Sequence, residues 1–411
     1  MLTTDSPDGV DARLNATLVA ELRSSGWLRT DRVGAAFEAV RRGWFIPPEV
    51  SRGEAYGNEV VFTNRAGDGT PTSSVSAPWL VAGMLERLAP HDGEHILEIG
   101  SGGWNAALLR HLVGPSGRVT SIDIDPEVVA RARRSLAGTP WQDVHVAQGD
   151  GRAGLPADAP YDAIVITVQA SSIEPAWLDQ LEPGGRLVVP LRVRGMGRLL
   201  TFAAEGDHWR GGGWEQCGFV RMRGEGTDQH QGVGFALGDG ARLRVHDSVL
   251  PSDATITGAA SQTRRELWSG VVVGATEHTR PVVDLWLATA LDRYGRLHPS
   301  AAKPQDTERG LLPLSGGSSA TWSGSTLAYV TMRAADSTGT RYEYGVAWHG
   351  PDPEPAERMV EHLRGWDREQ RGGPGPSLML YRVGHAPASP TGRVLVHQGV
   401  HQEPRLVLTW P

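Results

Sequence analysis

Apolar residues recur along this chain with two different periods, and the switches between them mark its elements. Leu14, Leu18, Val19 and Leu22 fall three and four apart, which predicts a helix over 13–25 stopped by Gly26. Val33, Ala36, Phe37 and Val40 repeat that spacing over 31–42, with Thr30 or Asp31 as N-cap, and Phe45-Ile46-Pro47-Pro48 ends the run. Residues 55–75 read as loop. Pro78 then stands in a first helical turn, followed by a stripe of Trp79, Leu80, Met84, Leu85 and Leu88. From Ile96 onward the periods alternate. An apolar strand (Ile96, Leu97, Ile99) breaks into glycines, and Trp104, Ala107, Leu108 and Leu109 resume at helical spacing. Strands over 118–124, 144–147, 161–168 and 186–191 are separated by helices over 126–136 and 174–181.

Strands separated by helices imply right-handed crossovers and a parallel sheet covered on both faces, with its ligand at the carboxyl ends of the strands. Residues 199–204 and 217–222, joined through Gly211, Gly212 and Gly213, read as a closing antiparallel pair. The Gly-, Gln- and Asp-rich stretch 224–240 reads as a boundary. The first domain is therefore expected over 1–225, with a helical leading part over 1–90, and the second over 241–411. The second half predicts helices over 279–291 and 355–366 and strands over 327–333, 342–348, 378–383, 392–397 and 405–410. It is α+β in character and shows no internal repeat.

A length of 411 residues favours two domains. The net charge of −7 and pI near 6.1 argue against a general nucleic-acid binder. A single cysteine, Cys217, excludes an internal disulfide framework and suits a reducing compartment. The first residues lack the basic-then-apolar pattern of a signal peptide, and no run approaches the ~18 apolar residues that span a bilayer. A cytoplasmic location without membrane attachment is the expectation.

The candidate chemistry gathers at the strand ends. In HILEIGSGGWNAALL, Glu98 precedes Gly100-Ser101-Gly102-Gly103 at a helix start, where missing Cβ atoms let a ligand approach the backbone and the helix dipole is positive. Asp123 closes the next strand and is placed to accept hydrogen bonds from two ribose hydroxyls. Asp150, between Gly149 and Gly151, is placed to accept one from an adenine amino group.

In order along the chain stand FIPPE, AYGN, SVSAP, LEIGSGG, SIDID, GDG, APYDAIVIT and LEPGGRLVVPL. Together they make the segment from about Phe45 to Leu200 resemble a protein-L-isoaspartate O-methyltransferase. The resemblance implies a Rossmann-like α/β methyltransferase sheet with a further α+β domain. It implies S-adenosylmethionine as methyl donor and a peptide carboxylate as acceptor. It places Glu98, Gly100, Ser101, Gly102 and Gly103 at the cofactor, with Asp123, Ile124, Asp150, Gly151 and Thr167. It gives Ser76 the catalytic role of holding the substrate carboxylate, with Ser74, Val75, Tyr56 and Asn58 as further substrate contacts. Taken without the family, Ser76 reads as a helix-cap residue ahead of Pro78. A carboxylate is already ionised at pH 7, so attack on the methyl group requires no general base.

This sequence departs from the family pattern in three places. EIGSGGWN is one residue shorter than the usual EIGTGSGYQ, the acid of AY-x-D is Asn58, and NRAGDGTPTS replaces the usual LPIGHGQT. The chain also runs on from 225 to 411. The set GSGGWNAAL, SSVSAPWLVA and a long C-terminal half ending in a TWP-like strand is similar to the methyltransferases of lanthipeptide and other ribosomal-peptide clusters. That implies an aspartate of a modified precursor peptide as substrate, converted through its methyl ester to succinimide or isoaspartate. Repair of isoaspartyl damage in proteins is the alternative, and a non-catalytic cofactor-binding scaffold a third reading. The glycines do not fit the G-x-G-x-x-G register of a nicotinamide dehydrogenase. His397 and His401, four apart, sit in a strand-like context with Gly399 between them, so no metal is expected. Ser300 and Lys303 match S-x-x-K by letter but run into Pro304 and lack the companion motifs of a hydrolase.

Overall fold

A computed structural model describes residues 7–224, 232–246, 249–299, 310–386 and 405–411. Two N-terminal helices, α1 (Pro7–Ser24) and α2 (Asp31–Ala39), lead into the short α3 (Arg52–Ala55). Thr30 is the N-cap of α2, its hydroxyl accepting from the Val33 N–H at 3.3 Å. The stretch expected as loop contains a hairpin, β1 (Val61–Arg65) and β2 (Pro71–Val75). Its turn is fixed by Asp68, whose Oδ1 accepts from the Thr70 N–H, and by Gly69 at φ +84°. The helix α4 (Pro78–Leu88) follows.

The alternating core runs β3 (His95–Ile99), α5 (Trp104–Leu112), β4 (Arg118–Asp123), α6 (Pro126–Leu136), β5 (His145–Gln148), β6 (Tyr161–Ile166), α7 (Pro175–Asp179) and β7 (Leu181–Val193). The strands β5, β4, β3, β6 and β7 are parallel neighbours in that order. Beyond β7 the sheet turns antiparallel through β8 (Met196–Glu205) and β9 (His208–Gln216). The expected partner of 199–204 is therefore corrected. Gly206 at φ +65° makes the turn to β9, while Gly211 lies inside that strand, where a Cβ would strike Leu378 at 2.6 Å. Residues 217–222 form no strand and make a single bridge, Arg221 to Gln169.

The second half builds β10 (Val233–Ala236), β11 (Arg242–Val245), α8 (Asp253–Ala260), β12 (Arg264–Gly274), α9 (Arg280–Ala290), β13 (Gly295–His298), β14 (Ser318–Ser323), β15 (Thr326–Ala334), β16 (Arg341–His349) and α10 (Glu354–Glu369). Its strands make a seven-stranded sheet, β10-β11-β13-β14-β15-β16-β12. The last two strands, β17 (Ser377–Tyr381) and β18 (Arg405–Thr409), return to the first sheet and extend it beyond β9 to nine strands. A clean partition at 225–241 is thereby overturned: composition marks a linker but cannot show that the chain's end pairs with β9. The strand expected over 392–397, together with His397, His401 and Ser300–Lys303, lies outside the described residues.

Strand alternation divides the core. Ile96, Ala163, Val165 and Val188 face α1, α2, α4, α5 and α6. Leu97, Ile164, Leu187 and Val189 face the other way, into a core shared with α7, α9, α10 and one face of the second sheet. There Trp286 and Trp410 meet edge to face at 5.2 Å, and the Trp410 indole donates to Thr289. Α small third core under α8 covers the other face of the second sheet. Among the described residues no helix is long and apolar enough to cross a membrane.

Candidate cofactor and peptide site

At the end of β3 the chain must leave a fully buried strand and start α5 within four residues. Gly100 adopts φ +101°, and a Cβ there would lie 2.6 Å from the Thr167 Oγ1. Gly103, at φ +83°, packs against Ser135 and Phe45. Both are glycine because the fold leaves no alternative. Gly102 differs: a Cβ there would meet only the Ser74 carbonyl, at 3.7 Å, so its openness serves the space above the turn. The Ser101 N–H donates to Asp123 Oδ2 at 3.0 Å, and its hydroxyl is buried without a partner among the described residues.

The acids take distinct positions. Glu98 is wholly buried beneath the turn, Oε1 accepting from the Asn105 amide at 2.8 Å and Oε2 from the Ser121 hydroxyl at 2.5 Å. Burial pushes its carboxyl up to about 7, against the pull of those two hydrogen bonds. Asp123 accepts from the Ser101 and Asp125 N–H groups, one on each oxygen, and burial raises it too. A carboxylate has about four lone-pair sites, so both oxygens keep capacity for ribose hydroxyls. Ile124 continues that wall beside Gly151. Asp150 caps the 151–153 turn by accepting from the Arg152 N–H at 2.9 Å, and Gly224 crosses close to its Oδ2. The Thr167 hydroxyl donates to the Gly100 carbonyl at 2.6 Å, so it braces the turn.

On the substrate side the expectations divide. Ser74, Val75 and Ser76 leave the hairpin directly beside the glycine turn. Ser76 does not cap α4: Ala77 is the N-cap residue, without a side-chain bond, and Asn58 Oδ1 accepts from the Trp79 N–H instead. Asn58 is thus a capping residue whose amide also reaches Glu21, and its assignment as a substrate contact is corrected. Tyr56 is corrected likewise. Its ring fills the space left by Gly43, buried and facing Asp11, and that environment pushes the phenol up to about 12.

Sequence reasoning missed Arg42, which it placed as the last residue of a helix. It is fully buried and donates to backbone carbonyls of two loops: Ala55, Gly57 and Glu59 on one side, Val75 and Ser76 on the other. Its guanidinium also lies 5.5 Å from the Trp104 ring, at the start of α5. Desolvation lowers it to about 10. A buried arginine whose two terminal nitrogens are taken up by main-chain carbonyls leaves no motif in a sequence.

Two spaces meet at Ser76. A void of about 40 Å³ over the glycine turn is lined by Glu98, Gly100, Ser101, Gly102, Asp123 and Thr167, among others. A cleft of about 700 Å³ opens beside it, and Thr72, Ser74 and Ser76 form the shared wall. The Ser76 hydroxyl has no hydrogen-bond partner among the described residues. Residues 220–223 cross the strand ends between the two, tied down by the Gln169 backbone and by an Arg223–Asp125 ion pair at 2.9 Å.

This donor set fits S-adenosylmethionine. Asp123 offers acceptors for a ribose, the orphaned Ser101 hydroxyl and the open Gly102 face the void, and the buried acid beneath can balance a sulfonium charge. Among the described residues no group of His, Cys, Asp and Glu could hold a metal.

A family model for protein-L-isoaspartate(D-aspartate) O-methyltransferase matches residues 12–225. The chain is 37% identical over 221 residues to the protein-L-isoaspartate O-methyltransferase of Methanopyrus kandleri, covering 53% of this chain and 95% of that protein. The Aeropyrum pernix enzyme of the same name is 40% identical over 183 residues, 44% of this chain and 67% of that one. A solved structure titled protein-L-isoaspartate O-methyltransferase is similar in fold, with a TM-score of 0.50 at 19% identity over 89% of this chain and 95% of that one. The glycine turn, its acids and the serine-lined wall therefore sit in a chain that belongs to the protein-L-isoaspartate O-methyltransferase family, an S-adenosylmethionine-dependent protein carboxyl O-methyltransferase.

Proposed function

We propose that this chain methylates the carboxylate of isoaspartyl residues in peptides or damaged proteins. The observation that carries this is Ser76, whose unengaged hydroxyl stands on the wall between the glycine-turn void and a cleft wide enough for a peptide. S-adenosylmethionine, when bound, supplies an electrophilic methyl group. Ser76 donates to one oxygen of the acceptor carboxylate and leaves the other to attack; that carboxylate is ionised at neutral pH and needs no base. Arg42 fixes the Val75 and Ser76 carbonyls, so the hydroxyl is held in place before substrate arrives. The methyl ester then reacts within the peptide. The next backbone nitrogen attacks the ester carbonyl, its amide proton passes by way of water to the departing methoxide, methanol leaves, and a succinimide closes.

A second reading is an aspartate of a ribosomally made, modified peptide such as a lanthipeptide. The extended second half favours it, because that half adds a sheet and two strands to the methyltransferase core. The fold likeness over 89% of the chain to a structure titled as the isoaspartate enzyme weakens that argument, since the extended architecture is not peculiar to peptide clusters. Mass spectrometry of matched peptides tests both readings. Methyl ester formation on a linear isoaspartyl peptide, absent on its L-aspartyl twin, supports the first. Methylation confined to a macrocyclic aspartyl peptide supports the second, and no transfer to any of them sinks both.

A further inference from the structure

Beside Ser76 the 700 Å³ cleft has an apolar wall that stays open among the described residues. Its first part is the hairpin. Strand alternation sends Val61 into the core and turns Val60 and Phe62 toward the cleft, exposed at 38% and 43%. The solvated face of an antiparallel ribbon ordinarily carries polar side chains, and here both positions are apolar. Trp79, in the first turn of α4, and Phe219, in the segment that crosses the strand ends, add two more rings. Three aromatic side chains from three parts of the fold therefore line one space. They are held in place. The Trp79 ring meets Trp27 at 4.8 Å, and its backbone N–H is fixed by Asn58. Phe219 packs half-buried against the helical side of the core, and the Arg65 guanidinium lies 5.0 Å from the Phe62 ring. The arginines that also line the cleft, Arg192, Arg221 and Arg223, are engaged within the chain, Arg223 with Asp125. Exposed apolar surface in a polar-rimmed groove marks a binding face, and this one adjoins the carboxylate site.

We propose that this cleft selects peptides with a large apolar side chain, aromatic above all, directly beside the methyl-accepting residue. Phe62, Trp79 and Phe219 are then the residues that set specificity. This rests on the peptide-carboxyl reading above. Position names the occupant. Ser76 stands on the wall shared by the glycine-turn void and the cleft, so a peptide presenting its carboxylate there runs its neighbouring residues along the cleft. Consecutive Cα atoms are about 3.8 Å apart, so the next side chain enters this same space. A ring seated there buries its own apolar area together with that of Val60 and Phe62, and meets the wall's rings in the edge-to-face or offset geometries that aromatic pairs prefer.

Fluorescence anisotropy with the full chain tests this independently of methyl transfer. Three labelled isoaspartyl peptides carry Phe before the acceptor, Phe after it, or Ala at both positions. One of the two Phe peptides is expected to bind about 10- to 100-fold tighter than the Ala peptide, the worth of burying one such side chain. Phe62→Ser is expected to cut that ratio about threefold or more, and Val60→Ser, on the same face of the hairpin, to cut it less. Both side chains are exposed, so both variants are expected to melt normally in urea. Equal Kd values for the three peptides overturn the proposal, as does a ratio that a folded Phe62→Ser leaves intact. Should that variant not fold, Val60→Ser decides. A dimer in sedimentation that Phe62→Ser dissolves, beside equal Kd values, gives the wall to a second copy of the chain and overturns the proposal too. Phe-selective binding without methyl transfer to any peptide overturns the peptide-carboxyl reading while leaving the cleft's preference standing; methyl transfer with equal Kd values does the reverse.

Discussion

Replacing Glu98 by Gln removes a proton-binding site from the middle of the protein while keeping its shape. The side chain is wholly buried, and its two oxygens accept from Asn105 and Ser121. A glutamine can satisfy the same neighbours, its carbonyl accepting from Asn105 and its amide donating to a rotated Ser121 hydroxyl. Burial moves the carboxyl from the ordinary 4.5 to about 7 in the folded chain. Between those values the folded state holds a proton that the unfolded state has released, so stability falls as pH rises through that window and is flat on either side. At 1.36 kcal/mol per pH unit, the separation comes to about 3 kcal/mol. Glu98→Gln has no such dependence. Urea melts of both proteins at pH 4.5, 5.5, 7 and 8 isolate the effect, because groups common to the two cancel in the difference. The unaltered protein is expected to lose about 3 kcal/mol relative to Glu98→Gln between pH 4.5 and pH 7 and nothing further by pH 8. A difference constant to within about 1 kcal/mol refutes the reasoning: the carboxyl would then be ionised in the folded state throughout, its two hydrogen bonds outweighing desolvation.

Other substitutions separate roles that the site combines. Ser76→Ala is expected to lower kcat/KM for an isoaspartyl peptide by about 10- to 100-fold, the worth of a hydrogen bond to a charged group, while S-adenosylhomocysteine affinity by calorimetry stays put; a matching loss of both would place Ser76 at the cofactor. Asp123→Asn is expected to weaken that same affinity at least about tenfold, since an amide cannot accept on both oxygens as the carboxylate does; unchanged affinity would remove Asp123 from the ribose. Gly100→Ala should cost several kcal/mol in urea melts, with a clash at 2.6 Å and a positive φ, whereas Gly102→Ala should melt normally and lose cofactor affinity. Equal melting of the two would refute the distinction. Arg42→Met is expected to cost about 3–5 kcal/mol by leaving buried carbonyls unpaired, and a loss under about 1 kcal/mol would show that water replaces the guanidinium.

Periodicity revealed the elements of the parallel core because burial on both faces leaves runs such as 163–166 continuously apolar and helices such as α6 sharply two-sided. It failed where structure depends on partners distant in sequence. The hairpin of β1 and β2 alternates weakly, since neither strand has a fully buried face, although Asp68-Gly69 signalled its turn. The glycines of β9 read as a turn because nothing local reveals Leu378 packing against Gly211. The return of β17 and β18 to the first sheet is likewise invisible to any window shorter than the chain.

The site was legible in the same uneven way, and the unevenness follows from how each residue works. Residues that act through backbone shape leave a trace, because only glycine fits at 100 and 103 and only a short acid closes β4 onto Ser101. Tyr56 and Asn58 sit at the expected motif yet are spent on packing and capping, so a motif there marks a loop that must be held in place. What holds it is Arg42. Its hydrogen bonds end on main-chain carbonyls, which every residue possesses, and so no pairing rule could have pointed to it. The serine proposed to meet the substrate is therefore positioned by a side chain 34 residues away in sequence. Mutational loss at either residue will look alike in a single activity assay, and only a folding measurement beside it separates a lost contact from a lost loop.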